Sequence, residues 1–413
     1  MLERVDKMKH NKNGILSAKG FKAAGGHTGV KRSKKDMAIL YSQVPAIYAG
    51  AFTTNHVKAA PVLWDKNLLT EKSPIQAIVI NSGNANAVTG NQGIEDTKTM
   101  AKTCAVKLNL NTNQVLICST GIIGQPLPME KIVKGIENLV PTLDDNRESG
   151  KNAAEAIMTT DTSLKEYGLI GEIDGVEVNM GSMGKGAGMI EPNMATMLGF
   201  VLTDVNITRE MLQKALSEAV NLTFNMITVD GDTSTNDSVI VLANGMAGNP
   251  IIDKEGKAYE KFFNMLFESL KYLATSIVKD GEGATKFLEV NIQGAKSFES
   301  GKRIAKSILT SNLVKTAFFG EDANWGRILA AMGYSGESFN INKVYLNLES
   351  ARGSIGLLKG GVPLGFSEEK AKEILEERDI KVLIKLEEGI EKVTAWGCDL
   401  SYDYVKINGD YRT

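Results

Sequence analysis

A chain of 413 residues, 43% of them hydrophobic and 23% charged, is long enough to bury a substantial core as one large domain or as two or three smaller ones. Its net charge of −2 supplies no attraction to nucleic acid or to an anionic membrane, so small molecules and other subunits are the expected partners. Three cysteines, Cys104, Cys118 and Cys398, are too few and too scattered for a disulfide framework or a zinc knuckle and fit reduced thiols in the cytoplasm. Residues 1–13 are charged and lack the apolar core of a signal peptide. No stretch approaches the roughly 20 apolar residues that a membrane-spanning helix needs.

In chain order, residues 20–31 are rich in glycine and basic side chains and read as a solvated surface loop, followed by strands over 38–41 and 46–52. The apolar run 75–80 has strand length. Behind it come Asn81, Ser82, Gly83, Asn84, Ala85, Asn86 and Ala87, which tolerate left-handed backbone and form either an anion-binding nest or a plain turn into a helix over 93–108. A short strand over 115–118 ends in Ser119, Thr120 and Gly121, and a small-residue turn there frees backbone amides to converge on one point, as stabilising an oxyanion requires. Ile132, Ile136, Leu139 and Val140 recur at helical spacing until Pro141 stops them. A second helix over 151–158 runs into Thr159, Thr160, Asp161 and Thr162, which read as capping and turn chemistry. Strands over 168–173 and 176–180 then lead to the middle of the chain.

There Gly184, Gly186, Ala187 and Gly188 give a small-residue loop, and Thr196 stands directly before an apolar run, 197–202, that reads as a buried strand. One reading of this stretch is an ordinary tight loop. The other is a nucleophile that makes itself: Thr196 Oγ attacks the carbonyl of Ala195, the peptide becomes an ester, and hydrolysis leaves a free α-amine beside the hydroxyl. That amine, with a reference pKa of about 7.7–8.0, then serves as the base. No histidine is needed, and the chain's three histidines, His10, His27 and His56, all lie in its first seventh. Lys185 lies between glycines, but a hydroxyl residue opening a helix does not follow it, so the order of a phosphate-binding loop is absent. A cation for a substrate carboxylate is the better reading.

Downstream, 208–224 is helical, and residues 228–237 are dense in acids and hydroxyls. They read as a polar loop near a pocket, with a divalent-cation loop as the lesser option because the closing glutamate of calcium loops is missing. After a strand over 239–243, Phe262, Leu266, Leu270, Leu273 and Ile277 mark a long amphipathic helix, which residues 280–286 stop with Glu282 between two glycines. Residues 302–314 and 367–378 read as helices, and Ile380, Val382, Ile384 and Leu386 alternate along a strand. Gly389 supports a turn into a partner strand near 393–396, and 404–413 has the look of a fraying tail. Strands and helices alternate with no dinucleotide-binding glycine fingerprint, which supports α/β with layered sheets and nothing finer.

Residues 185–198, reading Lys-Gly-Ala-Gly-Met-Ile-Glu-Pro-Asn-Met-Ala-Thr-Met-Leu, closely resemble the processing-site signature of the ornithine acetyltransferase (glutamate N-acetyltransferase) family, and the resemblance runs from about residue 13 to the last residue. It implies a sandwich of β-sheets enclosed by helices. A larger domain, 1–300, would carry the cleavage site between Ala195 and Thr196, and a smaller α/β domain, 301–413, would complete the pocket. It gives Thr120 (hydroxyl) and Gly121 (backbone amide) the role of oxyanion hole, and makes Thr159, Lys185, Thr196, Glu282, Asn408 and Thr413 the substrate-binding set; the tail is then ordered. The implied reaction moves acetyl from N2-acetylornithine to glutamate through an acetyl-threonine ester, without metal or cofactor. Acetyl-CoA is a second donor in some relatives, and nothing in the residues separates the bifunctional from the monofunctional enzyme. The processed α and β chains would stay together as an α2β2 heterotetramer in the cytoplasm. An N-terminal-nucleophile amidase or aminopeptidase that passes its acyl group to water is the alternative, and a non-catalytic binding protein on the same scaffold stands behind it.

Overall fold

The computed structural model describes residues 8–191 and 197–410. Strands and helices follow one another as β1 (Lys9–His10), β2 (Phe21–Gly26), β3 (Met37–Phe52), α1 (Ala60–Glu71), β4 (Ile75–Asn84), α2 (Gly90–Leu108), β5 (Val115–Ile122), α3 (Met129–Leu139), α4 (Arg147–Ile157), β6 (Lys165–Ile173), β7 (Val176–Lys185), β8 (Leu198–Thr203), α5 (Arg209–Leu222), β9 (Ser238–Ala243) and α6 (Lys257–Lys279). The remainder comprises β10 (Phe287–Ala295), α7 (Phe298–Thr310), α8 (Asn312–Phe319), α9 (Trp325–Gly333), β11 (Tyr345–Ser350), β12 (Gly353–Lys359), β13 (Val362–Pro363), α10 (Glu368–Glu376), β14 (Asp379–Lys385), β15 (Glu391–Cys398) and α11 (Tyr402–Asp410).

The first strands form a nine-stranded sheet in the order β1-β6-β7-β8-β9-β3-β4-β5, with β2 beside β3. Strand β3 belongs to both halves of it: Met37 to Tyr41 pair with β2 and β4, whereas Ile47 to Phe52 pair with β9. The pairing with β4 is interrupted between Tyr41 and Ala46, where Pro45 has no N–H to give the ladder. The predicted strands over 38–41 and 46–52 are therefore one element that crosses between the half-sheets.

Period-two alternation explains how those halves pack. Ile78 and Ile80 of β4 share a buried cluster with Phe200 and Leu202 of β8 and Ile240 and Leu242 of β9, so the half-sheets meet face to face. The intervening Val201 and Val241 face the other way, onto Leu216 of α5 and Leu266 and Leu270 of α6. On the opposite outer side Ile39, Val79 and Ile117 pack on Met100 and Cys104 of α2 and Ile132 and Ile136 of α3. The result is the expected sandwich of sheets enclosed by helices.

A six-stranded sheet follows in the order β13-β12-β11-β14-β10-β15. The change from one sheet to the other comes at Phe287, upstream of residue 301. Its core is continuous with that of α6, since Leu273 and Ile277 cluster with Leu288, Val290 and Trp396. Three expectations are corrected here. Strands β14 and β15 are not partners, because β10 lies between them, parallel to β14 and antiparallel to β15. The helix expected over 302–314 is two: Ser311 is extended, and its side chain accepts the Val314 N–H, ending α7 and capping α8. The supposed basic surface loop at 20–31 begins with strand β2, and its remainder winds around buried Asp36, which accepts the N–H groups of Thr28, Gly29 and Lys31.

Among the described residues no helix is long and apolar enough to cross a membrane, and Cys104, Cys118 and Cys398 are buried free thiols. Phe200 is fully buried where the half-sheets meet. Phe200→Ala should lower the unfolding free energy by about 3–5 kcal/mol, read from urea titration, whereas Val106→Ala on the exposed face of α2 should change it by less than about 0.5 kcal/mol.

Candidate active site

Thr120, Gly121, Thr159, Lys185, Glu282 and Asn408 line one cavity, together with Met197 and Leu198, where the chain re-enters the described structure. Thr196, Ala195 and Thr413 lie outside the described residues.

Strands β4 and β5 are parallel, and Thr120 and Gly121 sit near their carboxyl ends, opposite Ser82 and Gly83. The backbones approach so closely that a Cβ on Gly121 would stand 2.3 Å from the Gly83 carbonyl carbon, and its φ of +132° lies in the region that favours glycine. The preceding stretch, 81–87, is scaffold and not an anion nest. Asn81 takes the Ser119 hydroxyl at 2.6 Å, Asn84 spans to the Gln125 and Pro126 carbonyls, and the amides of Ala85 and Asn86 are spent on Ile122 O and Asn84 Oδ1. Only Ala85 of this stretch lines the cavity.

Lys185 is the last residue of β7 and is buried; among the described residues its ammonium has one hydrogen bond, to Thr159 Oγ1 at 3.4 Å. Burial pulls its pKa down, and the carboxylates of Asp161 and Asp237 oppose that pull. Asp161 locks the segment that carries Thr159. Its carboxylate accepts the Gly186 N–H at 2.7 Å and the Thr159 N–H at 2.8 Å, and pairs with the buried Lys165 ammonium at 2.7 Å. Lys165 also pairs with Asp280, just past α6, which in turn accepts the Thr162 N–H. Burial alone would raise the Asp161 carboxyl, but Lys165, Lys185 and the Gly186 N–H outweigh it and bring it to about 2.

Glu282 follows the turn after α6. Its N–H donates to Ala187 O at 2.8 Å, and its carboxylate accepts from Asn408 Nδ2 at 2.8 Å. A Cβ at Gly188 would come within 2.3 Å of Glu282 Oε2, so glycine there is what lets the carboxylate reach the cavity wall. Within the carboxy-terminal segment, residues 404–410 belong to helix α11, which carries Asn408 to Glu282, and Tyr404 donates to Asp230 at 3.3 Å.

Sequence reasoning missed what residues 229–238 hold. Asp230 accepts the N–H groups of Met189 and Ile190, Asp232 O that of Glu191, and Ile190 O the N–H of Val229. The Lys306 ammonium of α7 reaches Glu191 Oε1 at 2.9 Å, a contact across to the second sheet's helices at a position from which the sequence alone yielded nothing. Asn236 bridges to Ala85 O and Ser119 O, and Asp237 lines the cavity, buried, beside Met197. The density of acids and hydroxyls at 228–237 was the available signal; it marks a clamp on residues 189–191 and 197, the two ends of the described chain around residues 192–196.

The depressed Asp161 carboxyl has a consequence for stability. Its contribution, about 2 kcal/mol, is complete above the unfolded value near 4 and is lost as pH falls through about 2. Urea unfolding at pH 7 and pH 3 should show Asp161→Asn less stable by about that amount at pH 7, with the gap narrowing at the lower pH.

Residues 22–413 match the model of the ArgJ family. The chain is 53% identical to the arginine biosynthesis bifunctional protein ArgJ of Caldanaerobacter subterraneus subsp. tengcongensis over 96% of its own length and 97% of that protein's. It is 47% identical to the protein of the same name from Bacillus cereus over the whole of both chains. A crystal structure of arginine biosynthesis bifunctional protein ArgJ from Bacillus halodurans superposes with a TM-score of 0.50 at 48% identity, covering 52% of this chain and all of that one. The family that the 185–198 signature resembles is thus the one found over nearly the full length, and this chain belongs to the ArgJ family.

Proposed function

We propose that this chain is a self-cleaving acetyltransferase that moves the acetyl group of N2-acetylornithine to glutamate, giving ornithine and N-acetylglutamate in arginine biosynthesis. The observation that carries the reading is the convergence of Thr120, Gly121, Thr159, Lys185, Glu282 and Asn408 on one cavity at the point where the chain resumes after Thr196.

In this mechanism scission between Ala195 and Thr196 frees the Thr196 α-amine, which takes the proton of its own hydroxyl as Oγ attacks the acetyl carbonyl. The Thr120 hydroxyl and the Gly121 amide receive the oxyanion. Ornithine leaves with the proton, and the glutamate amine then attacks the acetyl-threonine ester through the same steps in reverse order. Both amino acids present an α-carboxylate beside the nitrogen that gives up or takes the acetyl group, so one set of contacts serves both halves: Lys185 and Thr159 for the carboxylate, Glu282 with Asn408 for the N–H of that α-nitrogen, and Thr413 closing the pocket. Lys185 suits the task because it is buried with a single side-chain partner among the described residues and so has donors left for a substrate carboxylate.

No resident cofactor enters this reaction; acetyl-CoA is a co-substrate if glutamate is also acetylated directly, the sense in which we read the bifunctional name of the relatives. The grip of residues 229–238 on the segment before the cut supports processed chains that stay associated, which we take as α and β halves of an α2β2 assembly in the cytoplasm.

Denaturing mass spectrometry should show the wild type as two chains, with an acetyl adduct on the chain beginning at Thr196 after incubation with N2-acetylornithine. Thr196→Ala should remain one chain and lose acetyl exchange by more than about 10³-fold. Acetate release without transfer to glutamate would favour the amidase alternative. Lys185→Met should raise KM for both amino-acid substrates by about 10-fold or more, the loss of a charged hydrogen bond, scored by steady-state exchange kinetics.

A further inference from the structure

The backbone of Met197, the residue immediately after Thr196, is held on both sides by two consecutive residues, Asp237 just before β9 and Ser238 at its start. Its N–H donates to the Asp237 carboxyl, and its C=O accepts the Ser238 N–H at 3.1 Å. Asp237 is itself only 4% exposed and lines the cavity, yet its Oδ2 has no hydrogen-bond partner among the described residues. An orphaned carboxylate oxygen at such depth is costly, and a buried polar atom left open at a cavity wall points to a partner that arrives there.

We propose that Asp237 is a positioning residue for acetyl transfer: one oxygen of its carboxyl fixes the Met197 amide, and through it Thr196, while the other presents an O–H to the cavity beside Lys185. The inference rests on reading Thr196 as the nucleophile. It assigns to Asp237 a task in the same site that no substrate-binding position of the family signature covers.

The two carboxyls around Lys185 are thereby divided. Asp161 has Lys165 and the Gly186 and Thr159 amides to hold it ionised. At Asp237 burial is the largest influence; the neighbouring Lys185, the Met197 N–H and the residue's own backbone N–H oppose it without outweighing it, so its carboxyl stands well above the usual carboxylate range. Environments that separate two acids in this way give one a fixed charge and the other a proton to donate. A neutral acid also leaves the Lys185 charge uncancelled on the cavity side, where a substrate carboxylate needs it.

A neutral, accepting and donating group of the same shape should replace a neutral acid, and a methyl group should not. Acetyl exchange between N2-acetylornithine and glutamate is measured for wild type, Asp237→Asn and Asp237→Ala, with chain scission and thermal unfolding followed on the same preparations. Asp237→Asn is expected to keep kcat within about threefold, and Asp237→Ala to lose about 10²-fold in kcat with little change in KM, the scale set by misplacing a reacting group by about 1 Å. Equal kcat in wild type and Asp237→Ala overturns the proposal, as does an Asp237→Asn variant that folds but falls as far as the alanine variant, which would mean that the charge and not the shape matters. Should Asp237→Ala fail to fold, Asp237→Val, which likewise lacks any hydrogen-bonding group but leaves a smaller void, takes its place on the same criteria. A wild type that cleaves itself yet transfers no acetyl to glutamate would instead overturn the proposed reaction, a failure distinct from that of Asp237.

Discussion

The chain on either side of residues 192–196 is gripped by a single short stretch, Val229 to Ser238, and the rest of the site depends on that grip. Upstream, the peptide groups of Met189, Ile190 and Glu191 are taken up by Asp230, Asp232 and Val229; downstream, those of Met197 are taken up by Asp237 and Ser238. Hydrogen bonds are directional, so the carboxylates and carbonyls that take up these N–H groups fix the flanks of the loop, and the buried side chains of Ile190 and Met197 anchor it to the core on either side of residues 192–196. That matters for Gly186, Ala187 and Gly188, which have little surface of their own to bury and keep their freedom unless their neighbours remove it.

The clamp works because strand β9, into which it leads, runs parallel to β8 within the sandwich, placing Ser238 opposite Leu198. Around it a buried polar network divides the labour of charge. Asp161 and Lys165 are tied to each other and to Asp280, so that Thr159 and Glu282, from distant parts of the sequence, are held to one rigid frame. Lys185 is left with its charge directed at the cavity. Taking such groups out of water is expensive, and it is tolerated here because nearly every partner bond of the network is made.

Periodicity made most of the layers legible. The runs around Ile78, Phe200 and Ile240 read as strands because they are short, nearly unbroken apolar stretches, as strands covered on both faces require, and α6 read as a helix from its stripe of phenylalanine and leucine. What periodicity does not carry is which strand lies next to which. Strand β10 inserts between β14 and β15, and β3 passes from one half-sheet to the other at Pro45, because these choices are settled by packing between segments far apart in the chain. At the site, Lys185 and the turn at Thr120 and Gly121 could be singled out from local chemistry. Thr159, Glu282 and Asn408 came from family resemblance, since a threonine at a helix end, a glutamate between glycines and an asparagine near a terminus each have ordinary explanations. Asp161, Asn236 and Asp237 were missed because their significance lies in what they touch: Gly186, Ala85, Ser119 and Met197 are all more than twenty residues away from them.

Among the described residues Asn408 comes last of those that line the cavity in chain order, and it reaches the cavity on α11, by way of Glu282. During synthesis that wall of the pocket is therefore the last to leave the ribosome, long after the sandwich that frames the cavity has emerged. A growing chain therefore holds both the clamp and the loop that it grips well before it holds Asn408. The order of translation thus puts the hydrogen bonds that hold residues 189–191 and 197 within reach before the wall that Asn408 supplies.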